Sequence, residues 1–443
     1  MHHPIRSLSS LALAAVVATT SVALMATPTS AVAAAAPQKV QVPGYYHMAF
    51  GPMQVTALYD GYVDLAPKLL KGASAKTLQS LMARMFQEST KGVQTAVNGF
   101  LVNTGDHLVL VDTGAAGCFG PTLGNIAANL KASGYKLEDV DAVLLIIEHG
   151  DYPTNKWGQI VYPRYELFQE LVNVFRKSGR SVPVFVDKHL SYDHRHAAEM
   201  VATAKELKFG LMAGSSLPVT WRLPEFNPPL GTPFEEGVAV IGYDRSNIEI
   251  YLFHVLEVLQ CMMERRPGGE TGVKSVQCLS GNAVWKAGDE GRWSWSLLDH
   301  ALSRCPSLNY GKVREQVKNP LCVLIEYADG TKGTAFNLVE AVSDFAFAGK
   351  IRDRSEPVST CFYLPAPPGA RFFDPLTYNI EQFFATGRSP YPVERTLLTS
   401  TICDHAMHSY HDGSKVISDP SLSIRYHPPI DDGHFRGTFI DRR

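Results

Sequence analysis

Between residues 140 and 224 the chain alternates apolar runs with stretches of helical period, and this rhythm narrows the possible folds more than any other feature. Residues 142–147 form a continuous apolar run, as expected of a strand buried on both faces. A helix is expected over 164–177, a strand over 182–186, a helix over 197–207 and a strand over 209–213, each assigned from its own periodicity. Strand–helix–strand alternation implies βαβ units, parallel pairing and right-handed crossovers. The expected class is therefore α/β.

The flanks read differently. Upstream, residues 53–59 alternate, Asp60-Gly61 supplies an expected hairpin turn, and 62–65 follow as its second arm. A helix is expected over 75–86, where Leu78, Leu81, Met82 and Met85 share a face. Strands are expected over 97–102 and 108–112, then a helix over 122–131 that stops at Gly134. Downstream of Pro224 the texture is α+β. A helix over 252–264 breaks at Pro267-Gly268-Gly269, and its Arg265-Arg266 pair is expected to be a solvated helix end. Residues 323–327 and 333–336 form an expected hairpin over Asp329-Gly330, and 416–443 are expected to be peripheral.

The first residues are of another kind. His2, His3 and Arg6 precede an apolar run at 11–25 and a small-residue stretch, the layout of a secretory signal peptide. An uncleaved anchor is the alternative. The expected organisation is a signal peptide at 1–34, a β-rich segment at 35–141, a βαβαβ segment at 142–224, an α+β domain at 225–430 and a tail at 431–443. The mature chain is expected to be exported, without an integral membrane span. A net charge of -2 provides no basic field for nucleic acid, so a small molecule is the expected partner, with the oligomeric state open. Seven cysteines without a C-x-x-C motif exclude a zinc ribbon, and most are expected to be buried core residues.

Ligands of an open parallel sheet bind at the carboxyl ends of its strands. Three polar segments fall there: Glu148-His149-Gly150-Asp151-Tyr152, Asp187-Lys188-His189 and Gly214-Ser215-Ser216. Together they supply groups that bind a sugar or anion, or move a proton. The plainer alternative is solvated loop ends in which Asp187 and Lys188 neutralise each other. On the helix over 252–264, His254, Glu257 and Cys261 share one side by spacing of three and four. After the strand over 108–112, Gly114, Gly117 and Gly120 lead towards a helix, but their G-x-x-G-x-x-G spacing is not the G-x-G-x-x-G that brings backbone onto a pyrophosphate.

Residues 54–145 resemble the start of metallo-β-lactamase-fold hydrolases, through Thr95-Ala96-Val97-Asn98-Gly99-Phe100-Leu101-Val102, Leu110-Val111-Asp112-Thr113-Gly114 and Asp141-Ala142-Val143-Leu144-Leu145. That resemblance implies an H-x-H-x-D-H zinc motif next in the chain. His149 and Asp151 match its second His and its Asp, whereas Ile147 and Tyr152 stand where two further His are needed. Full zinc occupancy is not expected.

Residues 142–429 resemble distant relatives of the Gfo/Idh/MocA oxidoreductases, through Glu148-His149-Gly150-Asp151-Tyr152-Pro153, Asp187-Lys188-His189-Leu190, Gly214-Ser215-Ser216-Leu217-Pro218 and Pro392-Val393-Glu394-Arg395-Thr396. Lys188 matches the Lys of the family's E-K-P motif, and Asp187 and His189 depart from its Glu and Pro. His254 matches a second-domain His, and Ile250 stands where the family has an Asp. The resemblance implies a sugar- or polyol-directed oxidoreductase that uses NAD(P), with Lys188, His254 and Glu148 moving protons. His149, Asp151, Tyr152, Asp187, His189, Ser215 and Ser216 would line the substrate. The family's phosphate loop precedes the point where the resemblance begins, so the cofactor half is expected to be missing. The other expectations are a degraded zinc hydrolase at His149 and Asp151, and an exported binding protein without chemistry.

Overall fold

The computed structural model describes residues 42–70, 72–87, 92–115, 120–147, 152–243, 248–365 and 370–436. Seven strands line up in chain order in a first sheet: β1 (Tyr45–Phe50), β2 (Met53–Leu65), β3 (Val93–Asn103), β4 (Leu108–Val111), β5 (Ala142–Leu145), β6 (Val184–Asp187) and β7 (Leu211–Gly214). The pairs from β1 to β4 are antiparallel, and those from β4 to β7 are parallel, as the alternation beyond residue 140 requires. The helices α1 (Ala75–Arg84), α2 (Ile126–Ala132), α3 (Arg164–Ser178) and α4 (His194–Glu206) connect them. Residues Pro43–Arg443 cluster as one unit, and the sheet runs unbroken across residues 141–142.

Asp60-Gly61 is not a turn. Residues 53–65 form one long strand, and its pairing with β3 slips by one residue between Tyr59 and Gly61, which is a β-bulge. Gly61 has φ 147°, and a β-carbon there would lie 1.9 Å from the carbonyl oxygen of Thr122. The bulge turns Asp60 inward, where it is fully buried and accepts from the backbone N–H groups of Ala115 (2.8 Å), Gly124 (3.0 Å) and Ile126 (3.2 Å). This carboxylate satisfies the start of α2, and the helix begins four residues later than its sequence period suggests.

A second sheet has the order β10-β11-β12-β9-β13-β14-β8. Its strands and helices are β8 (Trp221–Leu223), β9 (Phe234–Ile241), α5 (Ile248–Met263), β10 (Val273–Ser280), α6 (Asn282–Asp289), α7 (Trp295–Leu302), α8 (Val313–Gln316), β11 (Leu321–Tyr327), β12 (Lys332–Asn337), β13 (Phe345–Ile351) and β14 (Val358–Tyr363), followed by α9 (Asp374–Thr386) and α10 (Val393–His411). The hairpin over Asp329-Gly330 forms as β11 and β12. Side chains of α5 and α10 cover one face, including Phe253, Leu256 and Ile402. Side chains of α6 and α7, including Trp285 and Leu298, cover the other.

Side chains on the first sheet show where its helices lie. Val184 and Val186 pack with Leu130 of α2, Phe168 of α3 and Val201 of α4, whereas Phe185 between them packs with Phe383 of α9. Strand side chains alternate between faces, so α2, α3 and α4 share one face and α9 takes the other. Successive crossovers advance one strand at a time in one direction.

Two further expectations are corrected. Arg265 and Arg266 are buried, at 2% and 1% exposure. Arg266 pairs with Glu270 (3.0 Å) and Asp329 (2.6 Å), and Arg265 donates to the carbonyls of Pro228, Pro429 (3.1 Å) and Ile430 (3.1 Å). The tail is not peripheral throughout: Leu422, Asp432 and His434 are buried, and Asp432 pairs with Arg222 at 2.7 Å. Six cysteines, at positions 261, 278, 305, 322, 361 and 403, are buried free thiols, as expected. Among the described residues no helix is long and apolar enough to cross a membrane.

Candidate functional site

Asp187 closes β6, and Lys188 follows in the left-handed region at φ 65°. That conformation is costly for a residue with a β-carbon. It is held by the Lys188 N–H donating to the carbonyl of Gly214 (3.1 Å), which draws the end of β6 onto the end of β7. The Lys188 ammonium lies 2.7 Å from the Asp187 carboxylate, and both side chains are buried. The plainer alternative holds in that Asp187 and Lys188 neutralise each other, but the pair is out of water rather than solvated.

His189 is also buried. Arg164 Nη1 stands 3.2 Å from its Nδ1, while Arg164 Nη2 donates to the carbonyl of Ile147 (2.7 Å) and the guanidinium covers the Tyr162 ring at 4.3 Å. Burial above all, then the charges of Arg164, His254 and Lys188, holds the His189 imidazole well below its ordinary pKa. It is therefore a neutral ring near neutral pH.

At the end of β7, the Ser215 N–H donates to Glu257 Oε1 (2.9 Å) and its hydroxyl donates to Glu257 Oε2. His254 Nδ1 lies 3.1 Å from Ser215 Oγ and 3.4 Å from Glu257 Oε2. Helical spacing brings His254 and Glu257 to one side of α5, and that side meets the rim of the first sheet. Ser216 heads a 3-10 turn, Leu217–Val219, where its carbonyl accepts from the Val219 N–H, so its observed part is structural.

The rim residues 187, 188, 189, 215 and 254 are thus brought together. Tyr152 stands beside them, its ring 4.9 Å from Tyr162, which in turn meets His189 at 5.9 Å. Glu148, His149 and Asp151 lie outside the described residues. Sequence reasoning did not single out Glu257, Arg164 or Tyr391 as site residues. Glu257 was signalled by its spacing from His254; nothing local marks the other two. The Tyr391 hydroxyl is buried without a hydrogen-bond partner among the described residues, 3.3 Å from where a β-carbon would stand on Gly214. Burial, together with Glu257 and Asp187, pushes its pKa up against the opposing pull of Arg395.

Among the described residues, the start of α2 offers no seat for a nicotinamide dinucleotide. Its pyrophosphate needs free backbone donors at a helix start after a strand. After β4, the N–H groups of Ala115, Gly124 and Ile126 are already held by Asp60. An open sheet also forms a binding crevice where its winding direction reverses, and β4 to β7 wind in one direction. Zinc fits no better among the described residues of the hydrolase-like part. A cavity of about 690 Å³ is lined by Asp112, Gly114, Ile147 and Tyr152, where aliphatic carbon and phenol replace imidazole. Burial, opposed by the Gly114 N–H and assisted by Asp60, pushes the Asp112 carboxyl up to about 6.

No protein-family model matches the chain, and no curated protein does. Solved structures similar to it include members of two groups. One includes the hydrolase AbOPH of the beta-lactamase superfamily, similar on the N-terminal part at 27% identity, covering 44% of this chain and 68% of that one, with a TM-score of 0.28. The other includes GenD2 of gentamicin A biosynthesis in complex with NAD, at 12% identity over 66% of this chain and 85% of that one, TM-score 0.41. A myo-inositol dehydrogenase from Corynebacterium glutamicum also belongs there, at 10% identity over 70% and 91%, TM-score 0.37. The overlaps are loose, and the reading of the site rests on its own geometry.

Proposed function

We propose that this chain binds a sugar- or polyol-like molecule at the rim formed by Lys188, His254 and Ser215, as a relative of Gfo/Idh/MocA-type oxidoreductases that lacks a seat for NAD(P). The observation that carries the reading is the pairing of Lys188–Asp187 with His254–Ser215–Glu257 at the ends of two adjacent parallel strands. Each group offers a donor or acceptor suited to a hydroxyl. Their burial strengthens each bond, because water does not compete. The unpartnered Tyr391 hydroxyl adds one more contact that a polyol can complete.

Lys188 is an acid–base group held 2.7 Å from the Asp187 carboxylate, and His254 can relay a proton through Ser215 to Glu257. Without a nicotinamide these groups recognise and polarise a hydroxyl but transfer no hydride. The test is titration of the protein with myo-inositol and with NADH. Saturable polyol binding that weakens about 10-fold or more in Lys188→Ala is expected, from the loss of one charge-assisted bond, and NADH fluorescence stays unchanged. Stoichiometric NADH binding, or polyol affinity identical in Lys188→Ala, overturns the proposal.

The cavity beside Asp112 and Tyr152 favours a second reading, a binding protein whose ligand sits in the hydrolase-like part. In that case Tyr152→Ala weakens ligand binding and Lys188→Ala does not.

A further inference from the structure

Away from the rim, a second group of ionisable side chains gathers where the start of α4 meets the later turns of α10. His194 opens α4, His405 projects from α10, and Asp419 precedes a 3-10 turn, Pro420–Leu422. One donor atom from each of these three lies within 4.8 Å of the other two. Ligand atoms of a tetrahedral set at roughly 2.0–2.2 Å from one ion stand about 3.3–3.6 Å apart, so side-chain shifts of about 1 Å close the set.

The surroundings orient this set. Buried Asp404 accepts from the His194 N–H at 3.0 Å, and its Oδ2 lies 2.7 Å from His194 Nδ1. In the neutral ring this places the proton on Nδ1 and leaves Nε2 as the lone-pair atom, the arrangement by which a carboxylate aims a ligating imidazole. Asp404 is itself held at Oδ1 by Gln159 (3.0 Å) and His408 (3.2 Å), and Ser421 Oγ lies 2.8 Å from His405 Nε2.

A simple ion pair between His194 and Asp404 accounts for only part of this. It leaves unexplained why a second imidazole sits 4.7 Å away, ring to ring, with a carboxylate beside both. Two protonated imidazoles would repel at that distance, whereas two neutral ones with a carboxylate form a mixed N/O donor set. Asp193 is excluded from the set because Arg195 occupies its carboxylate through the backbone N–H (2.8 Å) and Nε (3.0 Å). A cavity of about 230 Å³, bordered by Trp157, Asp404 and His408, adjoins the set on the His194 side.

We propose that His194, His405 and Asp419 bind one divalent transition-metal ion of the zinc type, with Asp404 orienting His194 and water completing the coordination. Two imidazoles and one carboxylate suit zinc and its neighbours rather than calcium or magnesium. The half-exposed position keeps one coordination place open.

The test uses the full chain in a His2→Ala, His3→Ala background, which removes the histidines at its start. Titration with zinc, and with cobalt followed by visible absorption, is expected to show one equivalent bound with a tetrahedral cobalt spectrum. Affinity falls at least 10-fold in His194→Ala and in Asp419→Asn, and stays unchanged in the exposed control His411→Ala. Asp419 is exposed, and Asn keeps an acceptor for the Ser421 N–H, so this variant tests the site even if His194→Ala folds poorly. Absence of one-equivalent binding, or equal affinity in Asp419→Asn and the parent, overturns the proposal. The readout is the metal itself, independent of polyol binding at the rim.

Discussion

Burial acts on two ionisable residues near the rim with opposite consequences for stability. Glu249 is buried, accepts from the Ile160 N–H at 2.9 Å, and is pushed up to about 8 chiefly by loss of water, against the lowering effects of that bond and of Arg164. Its folded pKa exceeds the unfolded value near 4.5, so its contribution is complete below that value and is lost as pH rises through 8. His189 is displaced downward, so the unfolded chain takes up its proton first. Its contribution is present above pH 6.5 and is lost progressively as pH falls below it. Melting temperatures measured from pH 5 to 9 are expected to converge on this pattern. Glu249→Gln removes the decline that runs from about pH 4.5 to about 8, and His189→Gln removes part of the loss below 6.5. Profiles parallel to the parent would contradict both assignments. His189 was recognisable in the sequence as part of a polar strand end. Glu249 was not, because an Ile-Glu-Ile-Tyr run resembles a strand and its partners lie about 90 residues back along the chain.

At the scale of elements, the buried end of α5 makes the sharpest prediction. Arg266 and Glu270 are both buried, and removing one leaves the other uncompensated. Arg266→Ala is expected to cost roughly 3–5 kcal/mol in chemical denaturation, whereas a solvated helix-end arginine would cost about 0.5 kcal/mol. The size of the loss decides between the two descriptions. Strands and helices from 140 to 224 were legible because each carries its own period, and a parallel pairing follows from their alternation alone. The α5 terminus was not legible: charged residues before Pro-Gly-Gly have the local pattern of an exposed end, and burial comes from Asp329 and the chain near Pro429. Asp60-Gly61 failed for a related reason. A dipeptide suited to a turn is equally suited to a bulge, and only the distant donors at 115, 124 and 126 select the latter.

Across the whole molecule, the N-terminal edge of the first sheet faces solvent. All six residues of β1 are exposed, with Tyr46 at 70%, Phe50 at 62% and Met48 at 49%. Among the described residues no strand pairs with the outer side of β1; such an apolar edge is a template for a further strand, and the same edge of a second copy supplies one. Sedimentation is expected to show association that grows with protein concentration, and Met48→Lys with Phe50→Lys is expected to shift the population towards monomer. A strictly monomeric parent at high concentration would rule this out. The polar rim was legible in its chemistry, since three strand ends carry polar residues. Its closure by α5 was not, because the Ser215–Glu257 contact joins the end of a first-sheet strand to a helix 42 positions further along the chain.

The one-way progression from β4 to β7 limits what local sequence change can achieve. Glycine replacements after β4 would alter a loop while leaving α2, α3 and α4 on the same face of the sheet. A returning strand–helix pair would have to join β4 on its outer flank, and β3 already occupies that flank. A dinucleotide seat in the described part of this sheet is therefore a matter of chain routing, to be built by exchanging whole segments rather than by tuning side chains.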